Sequence, residues 1–352
     1  MPRWSHAWEE RARPDGSPFM ITDRVRLTHG DIREAASRSA SWLKSLGIGS
    51  DEVVVGITAN SVELCRLSLG VLLAGYCFVP LDPSATTSEL SSALGRLDVG
   101  VIVADRGVIN RIGGAHGARH VVPTESASGS SIVDRLLRRR SVTPPSDGFP
   151  AVLATHEPMT PRDVDPEKVA LVLFTSGSSG SPKGIQLSRR ALTAHLETLR
   201  EVFDHDQSVI HNVLPMHHAD GLVQGPVLAY SVGGTLVRPA DFTVGDLPLI
   251  LDAVYAHRVT HMITVPTVLA LLTRLGSAYA DAFDSDSFRL VMSNAAPLPT
   301  ALWEEVESRF GVVVCNSYGL TETVTSSLAS GPDERRHRRM GLRRRDRCRW
   351  IW

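Results

Sequence analysis

The stretch Leu171 to Gly184, LVLFTSGSSGSPKG, constrains this chain more than any other. An apolar run from Ala170 to Phe174, short enough for one buried strand, breaks into Ser, Thr and Gly and then reaches Pro182 and Lys183. A bare Ser/Gly run is usually a flexible linker. Here a buried strand precedes it and a helical pattern follows, so the spacing predicts a strand feeding an anion-binding loop. Gly177 and Gly180 let the backbone turn tightly and bring N–H groups to an anion. Thr175, Ser176, Ser178 and Ser179 add hydroxyls and Lys183 adds a cation, a combination suited to a triphosphate. It is not a Walker-type loop, because Ser181 and Pro182 separate Gly180 from Lys183.

Thr175 through Gly184 (TSGSSGSPKG) resembles the phosphate loop of the adenylate-forming enzymes: acyl-CoA synthetases, aryl-acid ligases and the adenylation domains of peptide synthetases. Asp51 to Pro83, with its VPLDP turn, looks like an early part of the same family, and Asn316 to Thr323 (NSYGLTET) resembles its YGxTE segment. There the resemblance implies that Tyr318 packs on adenine, with Ser317, Gly319 and Thr321 beside the nucleotide, and that Glu322 holds magnesium. Mg²⁺ prefers hard oxygen donors plus substrate phosphate, so Glu322 with Thr175 is the expected metal pair. Ser293-Asn294-Ala295-Ala296-Pro297 looks like the family's SGAAP turn against adenine, with Asn294 where glycine is common. Asn tolerates positive φ, which would let the turn survive; an ordinary left-handed turn is the plainer reading.

Pro215, His218 and Gly221 match a PxxHxxG pattern that places His218 near the substrate carboxylate, although His217 next door keeps the assignment open. Amino-acid-activating relatives carry an Asp that holds the α-amino group, and Asp220 is displaced from that position. The resemblance therefore implies a fatty or aryl acid, with Val265, Pro266 and Leu269 as apolar lining. The implied reaction is attack of a carboxylate on the α-phosphorus of ATP, with Lys183, Glu322, Thr175 and His218 as catalytic residues. CoA or a carrier-protein phosphopantetheine would then accept the acyl group.

With 352 residues, 43% of them hydrophobic and 21% charged, the chain is long enough for about two α/β units of ordinary globular character. Strand and helix patterns alternate at Val53–Ile57, 61–75, 76–79, Val99–Ala104, 188–202, 209–214, 234–237, 247–257, 261–265, 266–275, 288–292, 300–310 and 312–315. That alternation implies parallel sheets, with ligands beyond the strands' carboxyl ends. Loops after 214, 292 and 315 are expected to join the phosphate loop there. The expected fold is α/β, two stacked parallel-type sheet subdomains with flanking helices, like the large N-terminal domain of adenylate-forming enzymes without their C-terminal lid. Expected divisions are 1–122, a Pro/Ser-rich connection at 123–168, 169–330 carrying the ATP and acyl pockets, and a tail at 331–352.

Cys65, Cys77, Cys315 and Cys348 lack C-x-x-C spacing, so neither zinc nor a disulfide is expected. His205, His211, His257 and His261 form no ligand pattern. The charged N-terminus excludes a signal peptide, no apolar run could span a membrane, and a cytoplasmic protein is expected. Residues 333–352 hold nine arginines and three acids, leaving 28 basic against 35 acidic residues elsewhere. A basic arm for nucleic acid is one reading. The other, which the family supports, is out-of-frame translation of a G+C-rich gene. The resemblance runs from about Thr28 to Ser330, and no TGD-like ribose-binding motif follows residue 323. A ligase impaired by truncation, or a non-catalytic nucleotide-binding remnant, is the resulting expectation, with nucleic-acid binding not favoured.

Overall fold

The computed structural model describes residues 11, 13–49, 51–113, 116–125, 148–175, 182–330 and 349–350. They form two units, one of residues 30–189 and one of the remainder. The strands, in chain order, are β1 (Pro18–Ile21), β2 (Arg26–Thr28), β3 (Val53–Ile57), β4 (Cys77–Pro80), β5 (Val99–Ala104), β6 (His120–Pro123), β7 (Val169–Thr175), β8 (Lys183–Ser188), β9 (Val209–Asn212), β10 (Thr235–Val237), β11 (His261–Thr264), β12 (Leu290–Ser293), β13 (Val314–Tyr318), β14 (Leu328–Ala329) and β15 (Arg349–Trp350).

The first unit is built on a six-stranded sheet of order β6-β5-β3-β4-β7-β8. Every residue of β3, β4 and β5 is buried, which is why these strands read as unbroken apolar runs: both sheet faces are covered. Helix Ser61–Leu73 starts where Asn60 accepts hydrogen bonds from the Val62 and Glu63 N–H groups, so Asn60 and not Ser61 is the cap. Gly56 has no room for a side chain, since a Cβ there would lie 2.8 Å from the Phe78 ring. Helices Thr87–Leu94 and Arg106–Ile112 were not expected; the first is closed by a reciprocal Thr86–Glu89 capping box. Within the expected connection at 123–168, Phe149–Ala154 is helical and 126–147 lies outside the described residues.

The second unit carries a nine-stranded sheet of order β15-β14-β13-β12-β11-β9-β10-β1-β2. Its centre is parallel, but β1–β2, β13–β14 and β14–β15 pair antiparallel, as does β7–β8 in the other sheet. Both sheets are thus mixed, parallel at the core and antiparallel at the edges. One face of the larger sheet packs Val237, Met262 and Val291 against Leu251, Leu269, Trp303 and Phe310. Leu269 is buried in this core, which corrects the expectation that it lines a substrate pocket.

The chain divides at 29/30 and 189/190 and not across 123–168. β7 pairs with β4 in parallel, and the partly exposed β8 returns beside β7, so the strand that feeds the phosphate loop belongs to the first unit. Arg189 anchors this arrangement from a buried position, donating to the carbonyls of Lys168, Val169 and Tyr76. Burial lowers its pKa to about 10. The tail expected to lack family structure contributes β15, paired with β14 through Leu328↔Trp350.

Candidate active site

The phosphate-loop residues at its two ends are register partners. β7 ends at Thr175 and β8 begins at Lys183, directly opposite it, so the segment predicted to hold phosphate is the tip of an antiparallel hairpin. Ser176, Gly177, Ser178, Ser179 and Gly180 lie outside the described residues. Lys183 is exposed and Thr175 half-buried. A Cβ on Gly184 would meet Val172 Cγ1 at 3.2 Å and Phe174 Cζ at 3.3 Å, so the last glycine of the motif lets the hairpin close. The element after the loop is this strand, and the helix begins only at Arg189.

Three further loops leave the larger sheet at one edge, because β9, β11, β12 and β13 run parallel as neighbours. The expectation that four loops share one sheet edge therefore holds for three. β9 delivers Leu214 to Leu222. His218 is exposed, stands in extended conformation before the short helix Ala219–Leu222, and donates its N–H to Pro215 O at 3.1 Å. The rings of His217 and His218 lie 4.4 Å apart. Gly221 packs so close that a Cβ would fall 2.1 Å from Pro215 O, the physical reason for glycine three residues beyond His218.

β12 delivers the Ser293 to Pro297 turn, and here the structure corrects one expectation. The left-handed residue is Ala295, at φ 67°, not Asn294. Asn294 is instead only 2% exposed and serves as a hydrogen-bonding group: its Oδ1 accepts Ser317 Oγ at 2.5 Å and its Nδ2 donates to Asp220 Oδ1 at 3.3 Å. Ala295, Ala296 and Pro297 are exposed, leaving small side chains at the surface of the turn.

β13 ends in Tyr318, whose ring is 52% exposed, an unusual position for a large aromatic unless something stacks on it. Gly319 follows because a Cβ would lie 1.8 Å from Thr325 O. Glu322, exposed, sits in the single 3₁₀ turn Thr321–Thr323. The next residue, Val324, is held at φ 67°, strained for a β-branched side chain. Behind it Thr325 Oγ1 hydrogen-bonds His195 Nε2 at 2.6 Å; burial lowers that imidazole's pKa to about 4, so it is neutral near pH 7.

Two residues that sequence reasoning missed complete the edge. Asp220 Oδ1 accepts from Gln224 Nε2 at 2.9 Å as well as from Asn294, and burial raises its pKa to about 6 against the pull of those two hydrogen bonds. The only signal in the sequence was an acid beside a histidine pair, which by itself reads as a solvated side chain.

Thr175 and Glu322 offer the hydroxyl and carboxylate oxygens that Mg²⁺ favours, and both are accessible, so the donor chemistry fits that ion. They belong to different units. Among the described residues no group of three or more His, Cys, Asp or Glu forms a separate metal site, and no helix is long and apolar enough to cross a membrane.

The chain matches the family model described as AMP-binding enzyme over residues 7–343, nearly its whole length. It belongs to the AMP-binding enzyme family. The match extends beyond the Thr28 and Ser330 limits set by the motifs. Among relatives of this AMP-binding chain, sulfoacetate–CoA ligase of Cupriavidus necator is 27% identical over 90% of the chain and 58% of its own length. 4-coumarate–CoA ligase 3 of Oryza sativa is 27% identical over 84% of the chain and 51% of its own length. Indigoidine synthase of Streptomyces lavendulae is 28% identical over 84% of the chain and 22% of its own. The chain thus spans between about a fifth and three fifths of these relatives. The inhibitor-bound N-terminal domain of FACL13 from Mycobacterium tuberculosis superposes with a TM-score of 0.79 at 21% identity, covering 95% of this chain and 80% of that one. ATP-bound MatB from Rhodopseudomonas palustris gives 0.77 at 22% identity, covering 94% and 62%. At such identities the structural likeness establishes the fold: α/β, that of the N-terminal domain of adenylate-forming enzymes.

Proposed function

We propose that this AMP-binding chain activates a carboxylic acid with ATP, forming an acyl-adenylate and pyrophosphate, with CoA or a carrier-protein phosphopantetheine as the acyl acceptor. The observation that carries the reading is the joining of the adenine turn to the Tyr318–Glu322 loop at one sheet edge, through the Ser317 to Asn294 hydrogen bond. Small exposed residues at 295–297 would accept the adenine edge, and the Tyr318 ring would stack on its face. Lys183, with the hydroxyls and N–H groups of residues 175–180, would hold the phosphates. Bound Mg²⁺ would neutralise phosphate charge, with Glu322 and Thr175 as its protein ligands. His218, at the start of the Ala219–Leu222 helix, would orient the attacking carboxylate. Nearly all of the acceleration in such a reaction comes from positioning and charge neutralisation, which matches a site of fixed donors without a nucleophile.

The listed CoA ligases among the relatives support a substrate acid without an α-amino group, fatty or aryl in class. ATP–pyrophosphate exchange with a panel of carboxylic acids tests the reading. Acid-dependent exchange supports it; MgATP binding without exchange for any acid identifies a nucleotide-binding protein without ligase chemistry.

A further inference from the structure

The hydrogen bonds around Asp220 all run in one direction. Ser326 Oγ donates to Ser317 Oγ at 3.1 Å, Ser317 Oγ donates to Asn294 Oδ1, and Asn294 Nδ2 donates to Asp220 Oδ1. Gln224 Nε2 converges on the same oxygen, and Asn212 Nδ2 reaches the Asp220 carbonyl at 2.8 Å. Each hydroxyl proton in the cluster is thereby committed. What is left over is acceptors. Gln224 is fully buried and its Oε1 has no partner, while among the described residues no donor reaches Asp220 Oδ2. Reversing the Gln224 amide would set Oε1 against the carboxylate oxygen, acceptor to acceptor, so its orientation is determined. A buried acceptor without a donor is unfavourable, and native interiors leave few of them. This pair sits two and six residues beyond His218, beside the turn assigned to adenine, where the acid would lie.

We propose that Asp220 and Gln224 form a specificity site for a hydrogen-bond donor carried by the substrate, so that the acid activated is an amino- or hydroxy-substituted carboxylic acid and not a plain fatty or aryl one. This rests on the adenylation reading above. The raised pKa of Asp220 agrees with it, because a protonated amine would pair with the ionised carboxylate and offset its burial. A site arranged to bond a substrate N–H or O–H discriminates strongly against the analogue that lacks it, since the site's own groups are then left unpaired.

The test uses the whole chain with ATP and Mg²⁺, measuring ATP–pyrophosphate exchange and calorimetric binding for benzoate and hexanoate against their ring-hydroxy, ring-amino, 6-hydroxy and 6-amino derivatives. At least one substituted acid should exceed its parent by about tenfold or more, the range expected for a hydrogen bond to a charged group. Asp220→Asn should erase that preference while the melting temperature holds or rises, because a neutral amide can still accept from Gln224 and Asn294 without a buried charge. A merely structural Asp220 would instead lose stability and leave the preference intact. The wild-type comparison stands without any variant, and Gln224→Met removes the unpartnered oxygen if Asp220→Asn fails to fold. Exchange or binding that favours the plain acids, or a preference that survives in Asp220→Asn, overturns the proposal and leaves adenylation standing. No exchange and no binding with any acid overturns both, whereas a preference for α-amino acids supports the donor site and corrects only the excluded α-amino group.

Discussion

Tyr318 is the side chain whose position has the most direct consequence. Its ring is half exposed and takes part in little packing, so Tyr318→Ala should leave the melting temperature nearly unchanged. Loss of base stacking should weaken ATP binding by about 1–3 kcal/mol, roughly five- to a hundredfold, in a calorimetric titration. Unchanged affinity would remove Tyr318 from the adenine site. Lys183→Ala makes a parallel case, since the side chain is exposed at the mouth of the β7–β8 hairpin. MgATP affinity should fall about tenfold or more, as expected for a lost charge-assisted hydrogen bond, with the circular dichroism spectrum preserved. At this scale the motif residues were legible because their chemistry is local: an aromatic, a carboxylate and a lysine each at a fixed offset from a glycine. Asn294 was legible as a departure but not in its role. Its partners lie 74 and 23 positions away, and no window of sequence shows that Asp220 and Ser317 converge on it.

Elements explain why the motifs contain glycine where they do. Gly319 and Gly221 have ordinary negative φ, so the constraint is not conformational freedom but the approach of Thr325 O and Pro215 O. Gly319→Ala should therefore force the Tyr318–Glu322 loop away from Thr325, destabilising the chain by about 1–3 kcal/mol and weakening ATP binding together. A thermal melt and a titration on the same sample check both, and a variant that melts and binds like the parent would remove the steric argument. Long apolar elements such as β3, β5, Pro266–Leu275 and Thr300–Phe310 were readable to the residue, because burial on all sides writes itself into composition. β8 was not. Lys183–Ser188 is mostly exposed and offers only Ile185 and Leu187 as alternating apolar residues, so it reads as the approach to the following helix. Its pairing with β7 supplies the structure that its own pattern does not announce.

The whole molecule responds to pH through histidines that no motif includes. His195, His205, His211 and His261 are buried, and burial lowers each pKa, to about 4 for His195 and His261 and about 3 for His211. The folded chain keeps these rings neutral, whereas the unfolded chain protonates them near pH 6.5. Stability is thus complete above pH 6.5 and is lost as pH falls from there toward about 4, by about 1.4 kcal/mol per pH unit for each ring. Asp220 works in the opposite sense, since its raised pKa favours the fold as it protonates below about pH 6, but it is one group against four. Melting temperature should fall steeply between pH 6.5 and 5, and a flat profile would show that these histidines are hydrated in solution. Restoring a flatter profile with His211→Asn or His261→Gln would assign the effect to individual rings. By itself the sequence determined the family, the parallel α/β class and the nucleotide-facing residues, because these are recorded in local runs and fixed offsets. Tertiary structure alone decided that residues 18–21 pair with β10, more than two hundred positions later, and that the phosphate hairpin belongs with β4. It alone brought Asp220, Gln224, Asn294 and Ser317 together. Strand order and side-chain convergence depend on which distant surfaces exclude water together, and adjacent residues in the chain carry no record of that choice.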